Sequence, residues 1–161
     1  MSNYGGAGLI LLSPDRESVL LVCDIRSKKW GFPKGHREKE DADPIATATR
    51  ECLEETGIAP SSYVIHGHPF RLAKSSGAYI FFYATANTAT LTVTPQASEI
   101  ETIAWVPIAD LIANPTHGNK YLRVWIEDMS SGSKRKSTAL YRDLRLVSSE
   151  PPRSPHVVAH A

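Results

Sequence analysis

The chain has 161 residues, 42% of them hydrophobic, with 18 basic and 17 acidic side chains and a net charge of +1. This size suits one ordinary domain with a real core, and the composition excludes a collagen, a disulfide scaffold and a disordered chain. The near-zero net charge argues against indiscriminate coating of nucleic acid, and the longest apolar runs, residues 8–12, 19–22 and 78–84, are far too short to span a bilayer.

Residues 1–6 lack the basic start and apolar run of a secretory signal. A cytoplasmic protein without membrane contact is expected. Cys23 and Cys52 both sit in apolar patterns and read as buried free thiols.

Residues 7–12 and Ser18–Asp24 are rich in Leu, Val and Ile and flank a turn at Pro14, so they read as two strands. Residues 27–36 read as a loop, because Gly31, Pro33 and Gly35 interrupt any regular pattern. The period then changes. Asp43 before Pro44 is a helix opening: a side-chain cap, then a proline whose missing N–H costs nothing at the first helical position. Ile45, Ala48, Cys52 and Leu53 recur at helical spacing, and Gly57 closes the element, which predicts a helix over Pro44–Thr56. Residues 62–68, 77–86, 90–94 and 101–107 read as strands. Ile108–Ala113 reads as a short helix, and residues 119–129 as a helix whose Leu122, Trp125, Ile126 and Met129 face the sheet. Residues 130–137 read as a loop, residues 138–147 fit helix or strand, and residues 148–161 read as a tail. One domain over residues 1–147 follows, of α+β class or a three-layer sandwich.

Charge is distributed unevenly. Arg26, Lys28, Lys29, Lys34, His36 and Arg37 crowd one segment, and acidic residues then concentrate from residue 38 to 55. A site that holds phosphates and a divalent metal together needs such a pairing. On the helix, Glu51, Glu54 and Glu55 stand at i, i+3 and i+4, so their carboxylates project from one face. Like charges there cost a few tenths of a kcal/mol per pair, a repulsion that a hard divalent cation among the oxygens removes. An exposed acidic face is the commoner reason for such a pattern, but it leaves the upstream loop unexplained.

That loop is Trp30-Gly31-Phe32-Pro33-Lys34-Gly35-His36, and the helix continues into Arg50-Glu51-Cys52-Leu53-Glu54-Glu55-Thr56-Gly57-Ile58. Together they resemble the Nudix box, G-x5-E-x7-R-E-U-x-E-E-x-G-U with U apolar. Gly35 opens it, and Arg50 to Ile58 fits its second half at every specified position. The interval from Gly35 to Arg50 is one residue longer than the motif, which leaves Asp41 or Glu40 in the place of the first glutamate. The likeness extends to Glu99, which stands in the loop before a strand bearing Trp105, as a further glutamate does in that family.

The resemblance implies a Nudix-like α/β/α sandwich with a mixed sheet and an enzyme that hydrolyses a phosphoanhydride bond. It implies Mg²⁺, with Mn²⁺ as an alternative, on Glu51, Glu54, Glu55, Glu99 and the carbonyl of Gly35. Arg50 would orient Glu51, and Glu99 or Glu51 would take the proton of the attacking water. Lys34, Arg26, Arg37 and His36 would meet the phosphates. Read from the strand pattern itself, Tyr79, Phe81 and Tyr83 share one face: Phe81 reads as core, and Tyr79 and Tyr83 read equally as base-stacking or as core residues. The loop sequence is similar to those of dinucleoside polyphosphate hydrolases, mRNA decapping enzymes and diphosphoinositol polyphosphate hydrolases. The expected partner is therefore a soluble polyphosphate of nucleotide type, a dinucleoside polyphosphate or a capped RNA, with an inositol pyrophosphate as the alternative substrate. A monomer or homodimer is expected. A Nudix fold that binds phosphate without cleaving it is the rival class; the intact glutamates favour the enzyme. His66 and His68, two apart on a strand, lack a third ligand nearby and read as structural.

Overall fold

The computed structural model describes residues 3–115 and 117–131. The expectations for residues 132–161, including the domain-to-tail boundary at 147, lie outside the described residues.

Seven strands form one mixed sheet: β1 (Tyr4–Leu12), β2 (Ser18–Asp24), β3 (Trp30–Gly31), β4 (Lys34–His36), β5 (Tyr63–Leu72), β6 (Ala78–Ala86) and β7 (Ile100–Pro107). The path across it is β3-β2-β1-β6-β5, with β4 paired to β1 and β7 to β2. Only β1 and β6 run parallel among these pairs, with Leu9 opposite Phe82 and Leu11 opposite Ala84. Three helices are described, α1 (Pro44–Thr56), α2 (Ile108–Ala113) and α3 (Lys120–Ser130), with a 3-10 turn at Pro60–Ser62.

β1 is apolar without alternation because both of its faces are covered. Leu9 and Leu11 pack with Ala48 and Cys52 of α1. Ile10 and Leu12 pack on the other face with Trp125, Ile126 and Met129 of α3. Each such buried aliphatic side chain contributes about 2 kcal/mol in transfer free energy. The result is the expected α/β/α sandwich.

α1 begins and ends where the sequence places it. Asp43 caps it by accepting from Ala46 N–H at 2.8 Å, and Gly57, at φ 76°, donates its N–H to Leu53 C=O. The segment 90–94 is not a strand, although its side chains alternate. Its last residue is tied to the end of α1 instead: Thr94 N–H donates to Thr56 C=O at 2.8 Å, and just beyond it Gln96 N–H donates to Glu55 C=O at 3.2 Å. The carbonyls left open at a helix terminus take these donors before a sheet edge can. β5 runs on past His68 through Pro69 to Leu72, with a register shift between His66 and Phe70. An edge strand tolerates a proline there. Residues 27–36 contain two short strands rather than loop alone, and Trp30 holds the connection to α3: its N–H donates to His117 C=O, and its C=O accepts from Asn119 N–H. Cys23 and Cys52 are free and buried. No helix among the described residues is long and apolar enough to cross a membrane.

Candidate active site

Three segments converge: α1, the strand β4 with the loop after it, and the loop before β7. Arg50 is the hub. Its Nε and Nη2 donate to the two oxygens of Asp41, each at 2.9 Å. Nη2 also reaches His36 C=O at 3.0 Å. Nη1 faces Glu51 Oε1 at 2.9 Å, Glu54 Oε1 at 3.1 Å and Glu38 Oε2 at 3.0 Å. Of the two acids expected near the box's first position, Asp41 is the one paired with Arg50, while Glu40 is exposed. Asp41 is further held by Thr47 Oγ1 and Glu38 N–H, both at 2.8 Å. The guanidinium bonds, first of all, hold the Asp41 carboxyl well below the usual carboxylate range, and the same pair raises Arg50.

Glu51 lies against Gly35. A Cβ on that glycine would fall 2.0 Å from Glu51 Oε2, so only glycine lets the carboxylate sit there. Burial raises the Glu51 carboxyl above its ordinary value; Arg50 opposes the rise, and Glu54 and Glu99 reinforce it. Glu55 is the deeper group, 8% exposed. Its Oε1 accepts from Lys34 N–H at 3.1 Å, and burial pushes its carboxyl up to about 8, with Glu51 and Glu99 adding to the rise. Glu99 is exposed, yet near enough to both to be felt by each. Oxygens of Glu38, Glu51 and Glu54 lie within 4.8 Å of one another, and Arg50 Nη1 faces all three carboxylates. The three box glutamates thus divide: Glu51 and Glu54 share this outer cluster, and Glu55 turns inward.

Glu55 forms part of the wall of a cleft of about 410 Å³, lined by Lys29, Lys34, Lys74, Lys120 and Tyr121, with Phe32 and Ile100. Of the expected phosphate-binding residues, Lys34 is in this wall. Arg26 is exposed and outside it, and Arg37 lies over the ring of Tyr4, 4.8 Å from its centroid. His36 is exposed, with Nδ1 3.1 Å from Tyr79 OH. Tyr83 is not a base platform. It is 0% exposed, and Trp125 Nε1–H donates to its hydroxyl at 2.9 Å, so it belongs to the core. Tyr79 is 3% exposed and stacks on Tyr121 at 4.9 Å between centroids, so its ring is also covered. His66 pairs with Thr85 at 2.7 Å, as a structural histidine does.

Sequence reasoning missed Glu38, Lys29, Lys74, Lys120 and Tyr121. Glu38 and Lys29 lay inside the charged segment, and that crowding was the available signal. Lys74 stands in a turn, and Lys120 and Tyr121 open a helix otherwise readable only as a core face. Nothing local marks them.

Residues 4–129 match the family described as the NUDIX domain. The chain is similar to the m7GpppN-mRNA hydrolase dcap-2 of Caenorhabditis elegans, 29% identical over 147 residues that cover 84% of this chain and 19% of that protein. It is also similar to mRNA-decapping enzyme subunit 2 of Arabidopsis thaliana, 43% identical over 51 residues, 32% of this chain and 13% of the relative. The chain spans one fifth or less of the length of these two relatives. Among solved structures, a C. elegans Ap4A hydrolase binary complex superposes with a TM-score of 0.63 at 20% identity, covering 79% of this chain and 96% of that one. A Nudix hydrolase from M. smegmatis gives 0.62 at 20% identity over 82% and 86%. At such identity, these two likenesses speak for the fold.

Proposed function

The chain belongs to the NUDIX family, and from that premise we propose that it is a Mg²⁺-dependent hydrolase that cleaves a phosphoanhydride bond in a nucleotide-type polyphosphate, a dinucleoside polyphosphate or the 5′ end of a capped RNA. One observation carries the reading: Glu55, the innermost of the box carboxylates, stands in the wall of a cleft lined by four lysines. Carboxylates for a cation and ammonium groups for phosphates meet at one residue.

The donor set suits the ion. Carboxylate oxygens favour a hard divalent cation over Zn²⁺. Glu55, buried and with its carboxyl near 8, becomes fully ionised at neutral pH only where a cation offsets its burial. Glu51, Glu54 and Glu55 would hold the metal, with Glu38 and Glu99 at the margin. Bound there, Mg²⁺ would acidify the attacking water and screen the phosphate charge.

The chain's own residues do the rest. Arg50, fixed on one side by Asp41, holds Glu51 in place from the other. Glu99, exposed beside Glu51 and Glu55, takes the proton as the water oxygen attacks phosphorus and the P–O–P bond opens. Lys34 and its neighbours neutralise charge gathering on the leaving phosphate. The four lysines favour a second reading, a diphosphoinositol polyphosphate, which presents phosphate on every side.

A substrate panel tests the proposal: dinucleoside polyphosphates, capped RNA, inositol pyrophosphates and nucleoside diphosphate sugars, each with Mg²⁺ and with a chelator. Turnover with Mg²⁺ that is lost in Glu54→Gln is the expected result. Silence across the whole panel, with phosphate binding retained, would point instead to a binding module.

A further inference from the structure

The cleft beside Glu55 carries Lys29, Lys34, Lys74 and Lys120. Among the described residues, ion pairs fall to Lys28 and Arg50, and none of these four lysines has a carboxylate within salt-bridge distance. Two of them are held by aromatic rings instead. Lys34 Nζ lies 5.9 Å from the Tyr79 ring centroid and 5.2 Å from that of Tyr121. Lys74 Nζ lies 4.8 Å and 5.3 Å from the same two centroids and donates to Tyr121 OH at 2.7 Å. A ring positions an ammonium without cancelling its charge, so the cation stays available to an anion.

The same arrangement removes the aromatic surface a nucleobase would use. Tyr79 and Tyr121 stack on each other at an interplanar angle of 28°, and they are 3% and 8% exposed. Phe32, the other aromatic in the cleft wall, is 1% exposed. Trp30 is half-buried but lines a separate apolar pocket with Leu21, Leu122 and Ile126. Base recognition by stacking needs an open ring face, and no ring of this cleft offers one; of its other polar groups, Asp24 Oδ1 already accepts from Arg26 and Ser27 N–H and Asn119 Oδ1 from Leu122 N–H, so the four ammonium groups dominate the lining.

We propose that the cleft reads its ligand through the phosphate chain alone and is blind to the base, with Lys34 and Lys74, set by the Tyr79–Tyr121 pair, as a preformed phosphate clamp and Lys120 beside it as a further contact. This rests on the hydrolase reading for its location and specifies what that hydrolase selects: the number of phosphates.

The test uses the intact chain. With free Mg²⁺ held constant, nucleoside 5′-tetraphosphates carrying adenine, guanine or uracil should give kcat/KM values within about threefold of one another, since no stacked base distinguishes them. Inorganic tripolyphosphate should compete with them, and adenosine should not. In calorimetry with chelator present, tripolyphosphate should bind, and Lys74→Gln and Lys120→Gln, both at exposed positions, should each weaken it about tenfold through one lost charge. Turnover of a diphosphoinositol polyphosphate at a similar kcat/KM would also support the proposal. A base preference above about tenfold, or binding of adenosine by itself, overturns it. Lysine-dependent tripolyphosphate binding without hydrolysis of any probe would remove the hydrolase reading and leave the phosphate-reading cleft standing.

Discussion

Arg50 and Asp41 meet in a two-pronged ion pair, Nε to Oδ1 and Nη2 to Oδ2, each at 2.9 Å, with the Asp41 side chain 5% exposed. This pair joins the loop to the helix. It sets the direction of the guanidinium, and through it the position of Glu51 and Glu54. Neutralising Asp41 costs about 1.5–3 kcal/mol, the worth of hydrogen bonds to a charged group, because Arg50 keeps Glu38, Glu51 and Glu54. Asp41→Asn should therefore lower the melting temperature markedly and activity with it, whereas Glu40→Gln, at an exposed position, should change neither. Thermal melts of the two variants side by side decide the matter; equal stabilities would show that the pair holds nothing together.

Gly35 makes a separate, steric demand. A methyl group there meets the Glu51 carboxylate at 2.0 Å. Gly35→Ala should fold, because β4 is a three-residue strand at the rim of the sheet, and should lose roughly 10²-fold in turnover as Glu51 is pushed aside. Metal titration followed by activity separates the effects. Full activity in this variant would mean that Glu51 has another place to go.

Glu99 is assigned the proton. Glu99→Gln should cost on the order of 10²–10⁴ in kcat while leaving the melting temperature unchanged, because the side chain is exposed and bears no fold contacts of weight. Retention of full kcat would transfer the role of base to Glu51.

Glu55 gives a pH signature in metal-free protein. Its folded carboxyl titrates near 8 and its unfolded one near 4.5. Between these values the folded state holds the extra proton, so the contribution of Glu55 to stability is greatest below about 4.5 and is lost as pH rises to 8. Glu51 shifts in the same direction. With chelator present, the melting temperature should drop from pH 5 to pH 9, by about 3 °C for each kcal/mol lost. Saturating Mg²⁺ should flatten the decline. Melts in both conditions measure it, and a melting temperature that climbs over this interval contradicts the burial of Glu55 as a protonated acid. Asp41, shifted downward, acts only at the acidic end.

Tyr83 distinguishes core from site. Tyr83→Phe removes the acceptor of Trp125 Nε1–H and should cost about 1–2 kcal/mol without altering KM for any phosphate substrate. A raised KM with unchanged stability would return Tyr83 to the binding surface.

Much of this molecule was legible in local order. The cap Asp43-Pro44, the stop at Gly57 and the glutamates at 51, 54 and 55 determine α1 by themselves, since capping and periodicity act within a few residues. The apolar run of residues 7–12 likewise foretold a strand, while its coverage on both faces was decided by the packing of α1 and α3. Other features had no local mark. Alternation at residues 90–94 promised a strand, but its end is tied to α1 through Thr94 N–H and Thr56 C=O. Tyr79 and Tyr83 share one strand face, yet α3 covers the first with Tyr121 and anchors the second through Trp125. The lysine cleft is assembled from β4, the turn before β6 and the start of α3, segments whose charges become neighbours only when the sheet is formed. Spacing along a helix could be read from residue order because the helix is its own context; the direction of Glu55 and the company of Lys74 were decided by packing, which brings distant residues together and excludes the water that would otherwise screen them.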